Sequence, residues 1–242
     1  MIFILSGAGL SAESGLKTFR DHDGLWENYD VMEVCSAEGW EKDRQKVTDF
    51  YNARRLDLAS KKPNYAHQVL ADLEYKYGDR LFHCTQNVDN LLEQAGCKSV
   101  VHLHGTLTDL RCETCGHVFS IGYNAQTPDV QCPECQSDRV RHNVVMFGEA
   151  APNYRYLGPA LQNCSLFVAL GTSGQVLDIV SFAKMAARSL YFNPKREPYV
   201  TAFGDHEKMI DEFFDEKILK SATEGADELA DRIAFYLKSA GS

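Results

Sequence analysis

Five short apolar runs, spread over most of the chain, are the feature that most constrains its fold. They comprise residues 2–5, 81–84, 100–103, 166–170 and 190–192. Runs this short, bounded by Gly, Asn, Asp or Ser, are typical of strands buried on both faces of a parallel sheet. Helical patterns lie between the runs. The alternation of strand and helix predicts a doubly wound α/β domain.

Two of the helical patterns carry a clear apolar stripe. Pro63-Asn64 suits the start of a helix in which apolar residues recur at helical spacing as far as Tyr77. A last helix is expected to begin near Gly225. Its inward-facing residues are predicted to be Leu229, Ile233, Tyr236 and Leu237.

Two segments interrupt the alternation of strand and helix. Residues 29–62 look helical and charged, and residues 110–142 contain two cysteine pairs but little apolar sequence. The second segment cannot build its own core, so a bound metal is the natural way to stabilise it. We therefore expect a main α/β domain of residues 1–28, 63–109 and 143–242, beside a smaller lobe made of the two insertions.

The composition argues against several classes of function. The formal net charge of −9 over 242 residues disfavours direct binding to nucleic acid or to anionic membranes, because most of the surface should repel phosphate. No apolar run approaches the ~18 residues of a membrane span, and the apolar amino terminus lacks the basic residues of a signal peptide. The scattered Cys35, Cys84, Cys97 and Cys164 suit a reducing cytoplasm.

The remaining four cysteines form the strongest generic motif. Cys112 and Cys115 make one C-x-x-C pair, and Cys132 and Cys135 make a second after 16 intervening residues. This spacing lets four thiolates surround one zinc ion tetrahedrally, as in a zinc ribbon. Because four sulfur ligands leave no open coordination position, the zinc is expected to be structural. Two redox-active dithiols are the alternative.

Glycine-rich or polar residues follow three of the predicted strands. The glycines of residues 7–11 would let backbone N–H groups approach a pyrophosphate at a helix amino terminus, although the spacing also fits a simple tight turn. Residues 86–89 carry amides and a carboxylate suited to a carboxamide or sugar, unless Asn87 merely caps a helix. Residues 171–174 would wrap a phosphate or ribose, or form only a turn. In a parallel sheet these loops meet at one edge, where ligands bind.

Two histidines lie at the same predicted edge. His104 ends a strand and precedes Gly105, a position from which an imidazole can act as a general base. His102 lies two residues earlier and points to the same face of a strand, so spacing alone does not choose between them. A hydrogen-bonded histidine without catalytic function remains the alternative for either.

At this point six segments, taken together and in order, resemble the sirtuins, the NAD-dependent protein lysine deacylases. The segments are GAGLSAESGLKTFR (7–20), TQNVDNLLEQAG (85–96), HLHGTL (102–107), the four cysteines, VVMFGE (144–149) and ALGTSGQV (169–176). The resemblance implies a bacterial sirtuin with a Rossmann-like NAD-binding domain, a zinc ribbon (residues 110–142) and a helical module (residues 29–62). It also implies NAD as a co-substrate, structural Zn²⁺ and acylated-lysine proteins as substrates.

The resemblance further implies roles for individual residues. His104, not His102, would be the catalytic base: after the acyl oxygen displaces nicotinamide, it would activate a ribose hydroxyl, giving free lysine and O-acyl-ADP-ribose. The residues that would contact NAD are Gly7, Ala8, Gly9, Ser11, Glu13, Phe19, Arg20, Gln86, Asn87, Asp89, Gly171, Thr172, Ser173, Asn193 and Ala222. The residues that would border the acyl-lysine tunnel and the peptide are Val145, Phe147, Gly148 and Glu149.

A second, shorter motif bears on which acyl group would be removed. Tyr51 and Arg54 share a face of the predicted helix, and spacing alone favours a core tyrosine and a solvated arginine. The pair nevertheless matches the Tyr-x-x-Arg motif of the class III-like sirtuins that remove succinyl, malonyl or glutaryl groups. We therefore expect a desuccinylase and demalonylase that retains deacetylase activity. His22 stands where that class has a small alanine, and Met146 stands where bacterial relatives have an aromatic residue.

Three alternatives accompany this prediction. The first is a plain NAD-dependent deacetylase. The second is a zinc-ribbon module that binds a partner without catalysis, which would not need three loops at one sheet edge. The third is mono-ADP-ribosyl transfer, which would use the same NAD pocket without acyl-lysine.

Overall fold

The secondary structure comes from a computed structural model that describes residues 1–17, 25–26, 29–199 and 208–239. The strands are β1 Ile2–Ser6, β2 Leu25–Trp26, β3 Tyr29–Asp30, β4 Leu81–Thr85, β5 Val100–His102, β6 Gly105–Cys112, β7 Val118–Ser120, β8 Val140–Val144, β9 Leu166–Leu170, β10 Ser189–Phe192 and β11 Glu216–Ile218. The helices are α1 Val31–Val34, α2 Ala37–Lys42, α3 Arg44–Leu58, α4 Tyr65–Tyr77, α5 Leu91–Ala95, α6 Leu157–Asn163, α7 Ile179–Met185 and α8 Ala226–Ser239.

A parallel sheet of six strands forms the centre of the main domain, in the order β11-β10-β9-β1-β4-β5. Its strands include all five apolar runs, so the predicted α/β fold is confirmed. Ser6, the last residue of β1, lies level with Thr85 of β4 and Leu170 of β9. The three strands therefore end at one edge, and the loops that follow them are brought together there.

Helices cover both faces of this sheet. Alternate residues of β1 point to opposite sides: Ile2 and Ile4 pack with α4 and α8, whereas Phe3 and Leu5 pack with α6 and α7. All four side chains are essentially inaccessible to water, and each contributes roughly 1.5–3 kcal/mol by burial. Within the described residues, no helix is both long and apolar enough to span a membrane.

Helix α4 begins where the sequence predicts. The side chain of Asn64 accepts hydrogen bonds from the backbone N–H groups of Ala66 and His67, and the His67 ring reaches back to the N–H of Asn64. This capping box satisfies N–H groups that the helix itself cannot pair. Sequence reasoning did not predict β11, a three-residue edge strand in which only Ile218 is buried.

A smaller lobe consists of helices α1–α3 and a three-stranded antiparallel sheet in the order β7-β6-β8. Phe50 and Tyr51 of α3 pack in one apolar cluster with Leu107 of β6 and Val144 of β8. The predicted boundaries between residues 109 and 110 and between 142 and 143 fall inside β6 and β8. These two strands run continuously from the main domain into the zinc ribbon.

The four cysteines of the two C-x-x-C pairs lie in one cluster. All four sulfur atoms lie within 4.8 Å of one another, with Cys112 and Cys135 3.6 Å apart and Cys115 and Cys132 3.6 Å apart. A tetrahedral zinc with Zn–S bonds of about 2.3 Å requires sulfurs about 3.8 Å apart, so the thiols fit this ion. They are too far apart for disulfides, whose sulfurs are about 2.05 Å apart. The arrangement favours the metal over the redox alternative.

The zinc ribbon has little else to hold it together. Its own apolar cluster contains four buried residues, two of which are the zinc-site cysteines Cys112 and Cys132. Glu113, between the cysteines of the first pair, accepts hydrogen bonds from Trp40 Nε1 at 3.1 Å and Arg44 at 2.9 Å. An ordered cysteine cluster therefore also fixes the contact between the zinc ribbon and helices α2 and α3.

We predict that the purified protein contains about one zinc ion per chain. Cys132→Ser should lose the metal, lower the unfolding temperature and expose the zinc ribbon to proteolysis, because a small apolar cluster cannot hold the segment alone. Metal analysis and limited proteolysis measure these effects. Cys164→Ser, a buried cysteine outside the cluster, is the matched control and should keep its zinc. Equal zinc content in the two variants would contradict the assignment.

Candidate functional site

Two glycine-containing loops, following β1 and β9, meet backbone to backbone at the carboxyl edge of the main sheet. The N–H of Gly9 donates to the carbonyl oxygen of Gly171 at 2.8 Å. A Cβ atom on Gly9 would lie 2.7 Å from the Gly171 Cα, and Gly171 has a φ of +61°. Both positions therefore require glycine. The absence of side chains at these positions is what lets the two loops pack backbone to backbone.

The segment after β1 differs from the expected helix start. Residues Ala8–Leu10 and Ala12–Ser14 form two short 3₁₀ turns, and no α-helix follows them directly. Gly15 ends the second turn in the left-handed conformation, with a φ of +82°. A helix dipole is thus not what this loop offers to an anion. The N–H groups of Gly7 and Gly9 instead donate to the carbonyl oxygens of Leu170 and Gly171, which joins this loop to the one after β9.

Ser11, Asn87 and Asp89 form one hydrogen-bonded group between the loops after β1 and β4. The Ser11 hydroxyl donates to Asp89 Oδ2 at 2.9 Å and accepts from Asn87 Nδ2 at 3.1 Å. Burial raises the pKa of Asp89, although hydrogen bonds from the N–H of Leu91 and from Ser11 oppose this. The group offers a carboxylate and an amide to a polar ligand.

The helix-cap alternative for Asn87 is not what the structure contains. Helix α5 begins at Leu91, and the side chain of its N-cap residue, Asn90, accepts no hydrogen bond from the backbone N–H groups of the first turn. Asp89 accepts from the N–H of Leu91 instead. The Asn87 amide is directed to Ser11, on the side of the neighbouring loop.

Gln86, Thr172 and Asn193 link the loops after β4, β9 and β10. Gln86 Nε2 donates to the Thr172 hydroxyl at 2.9 Å, and Asn193 Nδ2 donates to the Thr172 carbonyl oxygen at 3.3 Å. Ser173 follows in the same loop and is half-buried. The structure thus brings together three predicted contact residues from three different strands.

Glu13 connects this edge to the carboxyl-terminal loop. Its carboxylate accepts from the N–H of Thr223 at 2.8 Å and from the Ser221 hydroxyl at 3.0 Å. Ala222, between these two residues, is buried in the core. In this arrangement Glu13 positions the loop at residues 221–223, which contains Ala222, one of the NAD contacts that the family resemblance implies.

His104 follows β5 at the same edge, with both ring nitrogens engaged. Nδ1 lies 2.9 Å from the carbonyl oxygen of Gln86, and Nε2 lies 2.8 Å from the hydroxyl of Tyr154. Because a carbonyl oxygen only accepts, the proton of the neutral ring resides on Nδ1. Burial lowers the pKa of His104, against the opposing effect of the Gln86 hydrogen bond. The neutral ring therefore keeps a lone pair on Nε2.

The pKa of His102 is shifted in the opposite direction. Its Nδ1 lies 3.0 Å from the carbonyl oxygen of Asn87, and its Nε2 lies 2.8 Å from the carboxylate of Glu93. Burial alone would lower the pKa of His102, but the Glu93 carboxylate and the Asn87 carbonyl outweigh it and raise the pKa. With two acceptors, His102 suits an imidazolium that orders the loop. Its geometry does not suit a base.

Tyr51 and Arg54 lie on α3, next to the sheet of the smaller lobe. The Tyr51 ring stacks on His142 with centroids 3.9 Å apart, and its hydroxyl interacts with the Cys35 thiol. The Arg54 guanidinium carbon lies 5.5 Å from the centroid of the Phe50 ring. Tyr51 is buried and Arg54 half-buried.

The segment after β8 joins the site to the smaller lobe. The N–H of Val145 donates to the His104 carbonyl oxygen at 2.9 Å, while Phe147 and Gly148 are exposed. The Glu149 carboxylate accepts from Arg141 at 2.7 Å and from Arg111 at 2.9 Å. Glu149 thus holds the shape of this segment through partly buried ion pairs with Arg111 and Arg141.

The predicted site and the described structure differ in two respects: some predicted residues are not described, and some contacts were not predicted. Phe19, Arg20 and His22 lie outside the described residues. Sequence reasoning missed Tyr154, which contacts His104, and Cys35, which contacts Tyr51. The only signal for Tyr154 was an aromatic residue two positions after Pro152, in a turn close behind a strand.

Comparison with known sequences places the chain among relatives of one kind. The model of the Sir2 family matches residues 7–178. An NAD-dependent protein deacylase of Campylobacter jejuni is 50% identical over 237 residues, which cover 98% of this chain and 97% of that protein. Another of the same name, from Caulobacter vibrioides, is 40% identical and covers 98% of both chains.

Solved structures agree with the sequence comparison. A Sir2 homologue in complex with ADP-ribose superposes with a TM-score of 0.82 at 31% identity, covering 98% of this chain and 93% of the other. A Sir2 homologue in complex with NAD gives 0.80 at 32% identity, covering 98% and 90%. Family model, sequence relatives and fold lead to the same conclusion: the chain belongs to the Sir2 family.

Proposed function

We propose that this chain is an NAD-dependent protein lysine deacylase. It would transfer the acyl group of a modified lysine to ADP-ribose and release nicotinamide. The observation that carries the proposal is the neutral imidazole of His104, which keeps a lone pair on Nε2 among loops suited to a dinucleotide. Close relatives over nearly the full length are named for this activity.

His104 has the properties that a general base needs. A lowered pKa keeps the ring unprotonated near neutral pH, and the Gln86 carbonyl holds the proton on the nitrogen that faces away from the reaction. Nε2 can then accept the proton of a ribose hydroxyl as that hydroxyl attacks. A base held in this way contributes about 10²–10⁴-fold in rate.

Each loop at the sheet edge would bind a different part of the dinucleotide. The packed loops at Gly9 and Gly171 would run along the phosphates, and the Ser11–Asn87–Asp89 group would contact the carboxamide end. Gln86 and Asn193 would orient ribose hydroxyls through the Thr172 loop. NAD would supply the ADP-ribose that accepts the acyl group, and the four cysteines would hold zinc away from the chemistry.

Replacing the base tests the proposal. His104→Ala should lower kcat for deacylation of an acyl-lysine peptide by about 10²–10⁴-fold, because the ribose hydroxyl loses its proton acceptor. Mass spectrometry of peptide, nicotinamide and O-acyl-ADP-ribose measures the rate. Zinc content and unfolding temperature should match the wild type, which separates lost chemistry from lost folding. Full turnover by the folded variant would overturn the proposal.

The same assay distinguishes the alternative activities. A deacylase consumes NAD only when an acylated lysine is present, since the acyl oxygen starts the reaction. Labelled NAD that marks a protein acceptor without any acyl-lysine would favour mono-ADP-ribosyl transfer. No consumption of NAD under any condition would favour a zinc-ribbon binding module.

We further propose that the preferred acyl group carries a carboxylate, as in succinyl- or malonyl-lysine. Two groups on α3 support this: the phenol of Tyr51 and the guanidinium of Arg54, in a lobe that also places Val145 beside His104. A half-buried guanidinium binds a carboxylate through two parallel hydrogen bonds more strongly than an exposed one, because water competes less. Plain deacetylation is the alternative outcome.

Substitution of Arg54 tests the acyl preference. Arg54→Met should lower kcat/KM for a succinyl-lysine peptide by roughly 30-fold or more, since loss of a desolvated charged contact costs about 2–5 kcal/mol. The acetyl-lysine version of the same peptide is the internal control and should change little. Arg54→Lys, which keeps the charge but not the paired hydrogen bonds, should fall between. Equal losses on both substrates would contradict the carboxylate contact.

The partners follow from this activity. The substrates would be acylated proteins, with no membrane or nucleic acid required. We propose a cytoplasmic location, which suits the thiols: all eight cysteines are described, and none forms a disulfide.

A further inference from the structure

The hydroxyl of Tyr154 is hydrogen-bonded to Nε2 of His104, the atom that would act as the base in the proposed reaction. Its hydroxyl lies 2.8 Å from Nε2, while Nδ1 is bound to the Gln86 carbonyl. Since Nδ1 carries the ring proton, Nε2 can only accept, and the phenol must donate. Burial raises the pKa of Tyr154, so the hydroxyl keeps its proton at neutral pH. In the ligand-free protein the lone pair of the base is therefore already hydrogen-bonded.

The position of Tyr154 is built into the fold. The residue lies in the 3₁₀ turn Pro152–Tyr156, and its N–H donates to the carbonyl oxygen of Ala151 at 3.1 Å. The neighbouring Asn153 side chain donates to the carbonyl oxygen of His102 at 2.8 Å, which ties the turn to β5. The ring packs on the apolar cluster that contains Leu103. Tyr154 is thus held against His104 by contacts on both sides of it.

From this geometry we propose that Tyr154 is a positioning residue that caps Nε2 of His104 and yields it to the ribose hydroxyl when NAD binds. The part played by the ribose rests on the proposed function. The cap itself does not, because it is a property of the ligand-free chain. While it lasts, the cap orients the ring and opposes its protonation, since a hydrogen bond to the neutral form disfavours the charged form.

Few other ionisable groups act on this imidazole. Among the residues that the structure describes, the other titratable groups at this part of the edge are His102 at the end of β5, Glu93 of α5 and Asp89 of the loop after β4. These three interact with one another. Within the described residues, Tyr154 is the titratable side chain that forms a hydrogen bond with His104. A change in His104 titration after removal of the phenol oxygen is therefore attributable to that bond.

The test removes one oxygen atom. Tyr154→Phe keeps the ring and its packing but leaves Nε2 without its donor. In the ligand-free full-length variant, the pKa of His104 measured by NMR of the ring nitrogens should rise by roughly 0.5–1 unit. Tyr156→Phe removes a hydroxyl from the same turn that contacts only Arg155 among the described residues, and it should leave the pKa unchanged. An unchanged pKa in Tyr154→Phe would overturn the proposal.

Kinetics test the transfer of the lone pair to substrate. The acidic limb of kcat/KM for NAD reports the enzyme before NAD binds, whereas that of kcat reports the bound complex. In Tyr154→Phe the first limb should move to higher pH, because the uncapped base protonates more readily. The second limb should stay in place, because the phenol has already left. Equal movement of both limbs would mean that the phenol never leaves, and would overturn the transfer.

The two measurements fail in different ways. If the chain is not a deacylase, the kinetic limbs do not exist, but the shift of the His104 pKa remains. If the cap is wrong, the NMR shift is lost while deacylation by the wild type persists. A merely structural role for Tyr154 would change the unfolding temperature and move neither pKa.

Discussion

The hydrogen bond from His104 Nδ1 to the carbonyl oxygen of Gln86 determines the chemistry of the site. It exists because β4 and β5 are parallel neighbours in register, with Thr85 level with His102, so that the residues after both strands meet. A carbonyl oxygen cannot donate, and the tautomer of the ring follows from that alone. Burial then keeps the ring neutral. The proposed role of His104 as a base therefore depends on the position of one backbone oxygen atom, that of Gln86.

The smaller lobe is held to this centre by buried charge. Glu149 is bound by Arg141 and Arg111, and it accepts the N–H of Met146 at 2.9 Å, so three groups fix the segment that begins beside His104. Burial would raise the pKa of Glu149, but these hydrogen bonds lower it and keep the group ionised. Zinc at the far end of the same sheet would keep Arg111 and Arg141 in place, because β6 and β8 carry both arginines into the zinc ribbon.

Local patterns predicted most of the fold, and tertiary contacts account for what they missed. Four of the five apolar runs lie in strands with buried residues on both faces, and the fifth lies in the half-buried edge strand β5, whereas β11 buries only Ile218 and gave no signal. The cysteine spacing was sufficient for the metal cluster. His104 was chosen over His102 by family resemblance alone; their different hydrogen-bond partners, Gln86 against Asn87 and Glu93, are a physical reason that sequence does not contain. Tyr154 comes from a turn 50 residues further along the chain, so no local pattern links it to His104.

Determining the tautomer of His104 is the most direct test of its proposed role as a general base. Nitrogen NMR of the ligand-free wild-type protein, with the ring assigned by comparison with a His104 variant, reports which nitrogen carries the proton near pH 7. We expect a neutral ring protonated on Nδ1, with an unprotonated, hydrogen-bonded Nε2. A ring protonated on Nε2, or an imidazolium at that pH, would contradict the proposed role of His104 as a base.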